Sequence, residues 1–186
     1  HRRRHSFPTR RSSDLLVQAF LAAEDDTFFE HGGINYLAIV RSMLANIRAG
    51  RAAQGGSTIT QQVARSLMLS SEKTLSRKIK EVMLTFKMEK YLSKQDILYL
   101  YLNQIFLGQE AYGVTAAAQV YFRKDLDKLT IPEMAILAGL PQAPSRYSPI
   151  RAPAAAKDRQ RYVLRRMAET GKITHDEAEK YANEPV

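Results

Sequence analysis

Three short stretches of this 186-residue chain combine residue types and spacings that packing alone does not require. Glu24–Gly33 reads EDDTFFEHGG, a carboxylate pair followed by aromatics, a histidine and two glycines. A glutamate beside Phe28 and Phe29 is partly desolvated, which raises its pKa toward that of a general acid or base. Taken alone, Glu24 and Asp25 fit equally well as solvated acids at a helix end, with His31 as a hydrogen-bonded loop residue. Gln54–Gln62 reads QGGSTITQQ. Its glycines allow a close backbone approach. Thr58 with Gln61 three residues on fits a capping box, so a helix is predicted to begin near Ile59. Such a turn presents unpaired N–H groups and the positive end of a dipole, which suit an anion; a capped helix after a flexible loop fits the same residues. In Lys73–Lys90, Arg77 and Lys78 lie one turn before Glu81, so the three can share a helix face. They read either as an ion pair on a solvated face or as a diphosphate grip. In the grip, Lys73, Arg77 and Lys78 supply cationic donors while Glu81 orients them or holds a divalent ion.

Two other patterns carry no chemistry. Gly50-x-x-x-x-Gly55-Gly56-Ser57 has the outline of a phosphate-binding loop, but Gly56 stands where the lysine belongs and no β-run precedes it. Ser70-x-x-Lys73 matches an acyl-enzyme serine motif but lacks its S-x-N and K-T-G companions downstream.

The elements that must position these residues are helical. Leu16, Ala19, Phe20 and Ala23 form one apolar stripe leading into Glu24. Tyr36, Leu37, Val40, Met43, Leu44 and Ile47 form a second, strongly amphipathic stripe that stops at Gly50. Further helices are predicted from Ile59, through Ile79–Phe86, and after Ser93. Gly113–Phe122 is alanine-rich, and Thr130-x-x-Glu133 and Thr174-x-x-Glu177 are capping boxes. A basic helix is predicted over about Ala154–Glu169, and strand signals are weak throughout.

Composition narrows the classes. Hydrophobic content of 45% and charged content of 25% are ordinary for a globular domain. The lack of cysteine excludes a disulfide scaffold and a thiolate metal site. No run approaches the roughly 18–20 apolar residues that cross a bilayer. Residues 1–14, HRRRHSFPTRRSSD, contribute +4 of the net charge of +9. They have no apolar periodicity and are expected to be a disordered or non-native leader, with a nucleic-acid-binding arm as the rival reading. The remaining charge suits an anionic partner or a membrane surface.

As a set, the motifs closely resemble the peptidoglycan glycosyltransferase domain of class A penicillin-binding proteins, family 51 of the glycosyltransferases. The family pattern E-D-x-x-F-x-x-H-x-G matches Glu24, Asp25, Phe28, His31 and Gly33. G-G-S-T-I-T-Q-Q is intact from Gly55 to Gln62, and R-K-x-x-E is Arg77, Lys78 and Glu81. Tyr101–Val114 and Leu137–Pro149 match the fourth and fifth motifs. Order and spacing hold over roughly residues 15–170. Asn35 stands where the family usually has Asp, and Arg65 where it often has Lys.

The resemblance implies a mainly α, lysozyme-like (α+β) fold with a helical head lobe and a smaller membrane-proximal jaw lobe, for which Tyr36–Ile47 is the candidate; an ordinary core-facing helix is its alternative. It implies a glycosyltransferase domain over 15–150 and a helical connector over 151–186 toward a C-terminal transpeptidase domain. An N-terminal membrane anchor is expected ahead of the residues given. The implied activity is polymerisation of lipid II into β-1,4-linked glycan by inverting transfer, releasing undecaprenyl diphosphate. The domain is then expected on the outer face of the bacterial cytoplasmic membrane, with lipid II and the growing glycan as partners and no nucleic acid. Glu24 and Glu81 are the implied catalytic residues. Asp25, Ser57, Thr58, Gln61, Gln62, Arg65, Lys73, Arg77 and Lys78 are the implied substrate-binding residues. A Mg²⁺ or Mn²⁺ ion at Glu81 is the one cofactor expected, with no organic cofactor. A lytic enzyme of related fold, or a catalytically silent wall-binding module, is the rival function.

Overall fold

A computed structural model describes residues 10–50, 56–68 and 74–185. Among these residues the chain is mainly α-helical. In order the helices are α1 (Arg10–Glu24), α2 (Tyr36–Ala49), α3 (Ile59–Ser66), α4 (Leu75–Tyr91), α5 (Lys94–Gln104), α6 (Val114–Phe122), α7 (Ile131–Gly139), α8 (Pro153–Glu169) and α9 (His175–Ala182). A 3-10 turn spans Leu126–Lys128. The only β pairing among the described residues is an isolated antiparallel bridge between Phe106 and Tyr112. The chain forms two compact units, His1–Asp26 with Phe106–Val186, and Thr27–Ile105.

Helix starts are set by local chemistry. Thr58, Ser93, Thr130 and Thr174 each close a capping box with the residue three positions on. Each box satisfies N–H groups that a helix start otherwise leaves without a partner. Gly50 ends α2 at φ 64°, a left-handed conformation that suits glycine. Helix α1 begins at Arg10, inside the stretch expected to be a leader; residues 1–9 lie outside the described residues.

The first unit is built around α7. From Met134 to Leu140 every residue of this helix and its cap is buried, as a helix covered on more than one side must be. Helices α1 and α8 both pack on it and on each other. Phe20 of α1 and Val163, Leu164 and Met167 of α8 are fully buried. Gly139 admits α8, because a Cβ there would lie 2.7 Å from Arg159 Cγ. Buried Gln160 is satisfied by donating to the Pro132 carbonyl at 2.9 Å. The segment expected as a connector after residue 150 therefore supplies part of this core, and no structural boundary falls at 150.

In the second unit α3 is central and packs on α4 and α5, through buried Ile59, Val63, Ala64, Ile97, Leu98 and Tyr101. Helices α2 and α4 are oriented against their apolar patterns. The α2 row Tyr36, Leu37, Val40, Met43, Leu44 and Ile47 is 51–76% exposed, and Ser42 is the buried residue of that helix. The core-facing alternative for this stripe is thus excluded. Helix α4 exposes Leu75, Ile79, Met83 and Phe86 and buries Glu81, Thr85 and Met88.

Candidate active site

Glu24 is the last residue of α1, and its side chain is 10% exposed. Arg159, on α8, brings Nη2 to 3.6 Å from Glu24 Oε1. The arginine is itself anchored. Its Nε donates to the Gly139 carbonyl at 3.3 Å, and its guanidinium lies 4.4 Å from the Tyr162 ring centroid and 5.4 Å from that of Tyr147. Two turns along α8, Arg166 donates to Asp26 Oδ2 at 2.8 Å and to the Ala22 carbonyl. Burial raises the usual cost of a guanidinium, but the hydrogen bond to Glu169 and the charges of Asp26 and Glu169 outweigh it and raise the Arg166 pKa. These two arginines pin the C-terminal end of α1, so Glu24 is both desolvated and oriented. Asp25 is buried beside it at 6% exposure. Sequence reasoning missed Arg159. The available signal was its position on the edge of the apolar stripe of α8, four residues before Val163, where a charge needs a partner.

In the second unit the loop after Phe28 is fixed to α3 and α4. The Gly33 N–H donates to His31 Nδ1 at 3.0 Å, and the Gly33 carbonyl accepts from Thr58 Oγ1 at 2.6 Å. At φ 109° a Cβ on Gly33 would meet Glu89 Cγ and Thr85 Cγ2 at 2.9 Å, so only glycine fits. Glu89 accepts from Thr60 Oγ1 and Lys94 Nζ, and Lys94 sits 4.5 Å above the fully buried Phe28 ring. Asn35 caps α2 by accepting from the Ala38 N–H, and its amide donates to Thr27 Oγ1 at 2.9 Å. An aspartate at this position would have to accept from the Thr27 hydroxyl instead. His31 is therefore a positioning residue of this loop.

In the QGGSTITQQ stretch the predicted capping box of Thr58 and Gln61 forms and α3 begins at Ile59. Gln54 and Gly55 lie outside the described residues. A Cβ on Gly56 would come within 3.2 Å of Ile39 Cα, so its small size serves packing against α2. Thr58 and Gln61, expected at the substrate, are buried at 2% and 3% exposure. The Thr58 hydroxyl accepts from the Gln61 N–H, and Gln61 Oε1 accepts from the Thr58 N–H. Their polar groups close the α3 start, where Ile59 and Thr60 are also fully buried. Gln62 is half-buried.

Cationic side chains gather on Glu81, which is 3% exposed. Arg65 Nε lies 3.2 Å from Glu81 Oε2, and Lys78 Nζ lies 2.9 Å from Oε1. Arg65 Nη2 also donates to Ser57 Oγ at 3.0 Å. The Arg65 and Lys78 side chains remain 41% and 51% exposed. Arg77 Nε is buried without a hydrogen-bond partner, a donor whose desolvation nothing in the described residues offsets. A buried carboxylate thus holds two cations by their inner edges and leaves their outer faces open. The ion pair on a solvated face is excluded. Lys73 lies outside the described residues.

Burial pushes the Glu81 carboxyl up, but the hydrogen bonds and charges of Arg65 and Lys78 outweigh it and hold it below 4.5. A carboxyl depressed in the folded state stabilises above its unfolded value, and the contribution fades as pH falls through the folded value. The thermal midpoint is expected to drop between about pH 5 and about pH 3, and to drop less in Glu81→Gln; melting curves over that range check it. An equal drop in both proteins would refute the assignment.

The same geometry tests the expected divalent ion. Both Glu81 oxygens are taken by cations, and no group of three or more His, Cys, Asp or Glu residues that could hold a metal occurs among the described residues. A hard divalent ion needs several oxygen ligands. The described residues by themselves supply no such ligand set at Glu81.

Comparison with known proteins gives a consistent picture. The family described as Transglycosylase matches residues 1–168. Penicillin-binding protein 1A of Aquifex aeolicus (strain VF5) is 52% identical over 171 residues, covering 92% of this chain and 24% of that protein. Penicillin-binding protein 1A of Neisseria cinerea is 50% identical over 173 residues, covering 93% and 22%. The chain thus spans about a quarter of the length of the curated relatives it matches. A crystal structure of penicillin-binding protein 1A from Haemophilus influenzae aligns with TM-score 0.49 and 38% identity over 68% of this chain and 16% of that one.

Proposed function

The chain belongs to the transglycosylase family, and from that premise we propose that it is a peptidoglycan glycosyltransferase that polymerises lipid II. Lipid II is a disaccharide-pentapeptide on undecaprenyl diphosphate, and the product is β-1,4-linked glycan. The observation that carries this reading is the Glu81 group: a buried carboxylate presenting the half-exposed cations of Arg65 and Lys78 beside the orphaned donor of Arg77. An enzyme that only cleaves glycan releases no diphosphate and has no use for such a group.

In this reading Glu24 takes the proton of the acceptor 4-hydroxyl, whose pKa lies far above neutrality. The oxygen attacks C1 of the donor sugar, the C1–O bond to diphosphate breaks, and the α-linkage becomes β. Negative charge builds on the leaving diphosphate. Arg65, Arg77 and Lys78 neutralise it, with Glu81 fixing two of them in place before the charge appears, so that little reorganisation is needed at the transition state. Arg159 holds the Glu24 carboxylate in one orientation. Incubating the domain with lipid II and resolving the products on a gel tests the function: long glycan supports synthesis, whereas shortening of added preformed glycan with no synthesis overturns it in favour of the lytic rival.

The exposed rows of α2 and α4 supply the membrane contact that a lipid-linked substrate needs. Among the described residues no helix is long and apolar enough to cross a membrane; the exposed rows are of the kind that lies in the interface. Arg41, Arg48, Lys80 and Lys87 on the same helices suit anionic headgroups. Replacing Leu37, Met43 and Leu44 together by serine is expected to weaken binding to anionic liposomes about tenfold or more. Because all three are more than half exposed, the melting curve is expected to stay in place. Unchanged sedimentation with liposomes would refute the contact. The lengths of the relatives fit a longer parent carrying a membrane anchor and a transpeptidase domain, with this domain on the outer face of the cytoplasmic membrane.

A further inference from the structure

Five side chains of the first unit form a row in which cations and aromatic rings alternate. Arg146 lies 5.5 Å from the Tyr147 ring centroid, and Arg159 lies 5.4 Å from the same ring and 4.4 Å from that of Tyr162. Arg165 ends the row at 5.6 Å from Tyr162. The outer arginines are exposed. The middle one is 12% exposed, and it is the one that meets Glu24.

Local structure builds this stack. Tyr162 follows Arg159 by three positions on α8, which puts the two side chains on one face. Tyr147 comes from the segment between α7 and α8, where its N–H donates to the Ala143 carbonyl at 3.0 Å. On the α7 side the Gly139 carbonyl accepts from Arg159 Nε, and the absence of a Cβ there leaves room for the arginine stem. Arg159 is thus supported from three directions without drawing on Glu24. Its approach to the carboxylate, 3.6 Å, is longer than the roughly 2.7–3.2 Å of an N–H···O hydrogen bond. Arg159 therefore acts on Glu24 by charge.

The kind of support matters. Two rings and a carbonyl carry no net charge, so they hold the guanidinium without neutralising it. A carboxylate in their place would cancel much of its field at Glu24. An opposite charge at this range favours the ionised carboxylate, the form in which a base can take a proton. The other charges around the end of α1 do not supply this. Asp25, the next residue, is buried and adds a second negative charge, and Asp26 is held by Arg166, which also bonds Glu169. Of the other elements packed on α1, α7 carries Glu133, paired with Lys124, and the Leu126–Lys128 turn carries Asp127 and Lys128.

We propose that Tyr147 and Tyr162 are positioning residues whose ring faces hold Arg159 as a fixed counter-charge, and that this charge keeps Glu24 ionised. The catalytic consequence rests on the reading of Glu24 as the base of a polymerase; the charge coupling does not. Two measurements on the whole chain test it. In carbon NMR without substrate, the Glu24 carboxyl signal, identified by its loss in Glu24→Gln, is followed across pH. Its titration is expected to move to higher pH in Arg159→Gln and, by less, in Tyr162→Leu. Tyr162→Phe keeps the ring and is expected to restore the parental position. With lipid II, the acid limb of the polymerisation rate is expected to move the same way. On that limb kcat is expected to be about tenfold lower in Arg159→Gln, with KM unchanged because the arginine acts through Glu24. Tyr162 is only half-buried, so its variants keep the measurement available where Arg159→Gln melts early. A Glu24 titration unmoved in Arg159→Gln and Tyr162→Leu would overturn the proposal. So would a raised KM with an unmoved limb, which would mark Arg159 as a substrate contact. If the titration moves but the unsubstituted chain makes no polymer, the counter-charge stands and the polymerase reading falls. If polymer forms and the titration stays in place, the reverse holds.

Discussion

Replacing Glu24 by Gln is expected to lower the rate of glycan polymerisation by about 10²–10⁴-fold, the usual worth of a positioned general base. Gln keeps the shape and polarity of the side chain but cannot take the acceptor proton. The effect on folding is expected to be small, for a reason visible in the ion pair. Arg159 retains the Gly139 carbonyl and the faces of Tyr147 and Tyr162 when the carboxylate is removed. A polymerisation assay beside a melting curve separates the two quantities. Turnover at the parental rate in this variant would remove Glu24 from the chemistry; a collapse of the melting transition would make it structural.

Glu81→Gln carries the second large effect, and here the balance of terms differs. Removing one partner of a wholly buried ion pair usually costs about 3–5 kcal/mol. In this case only the carboxylate is buried, while Arg65 and Lys78 are 41% and 51% exposed and can rehydrate. The stability loss is therefore expected to be nearer about 1 kcal/mol. Activity is expected to fall further, by about 10²–10³-fold, the cost of losing one preorganised electrostatic contact to a developing oxyanion. Without the second charge-assisted bond the two cations no longer have one geometry to return to. Single-turnover measurements with lipid II check the loss. A variant that keeps parental turnover would show that Glu81 only balances buried charge.

The two substitutions test different kinds of inference. The motif around Glu24 was legible in the sequence because Phe28, His31 and Gly33 stand at the spacing of the family pattern, and the structure gives a local reason for it: Gly33 must be glycine, and His31 receives its N–H. The cluster at Lys73–Glu81 was legible as charge but not as geometry. Arg77, Lys78 and Glu81 share a helix, yet the partner that completes the grip on Glu81 is Arg65, from a different helix. Thr58 and Gln61 were legible as a cap: each accepts from the other's backbone N–H, and the fold buries both.

What the sequence determined by itself is the helical character of the chain, the starts of its capping-box helices and the family. Thr58, Ser93, Thr130 and Thr174 announce helices because a cap is a bond between residues three apart, which sequence displays directly. What only the tertiary structure decided is which face of each helix turns inward. The apolar periodicity of α2 and α4 leaves open whether Tyr36–Ile47 and Ile79–Phe86 face a core, and the fold exposes both rows while burying Glu81 and Thr85. Periodicity records that a helix has two unlike faces, but not whether the apolar one meets protein or another apolar medium. The same limit hid Arg159: its hold on Glu24 joins residues distant along the chain, and distance along the chain carries no trace of contact until α8 has packed on α1 and α7.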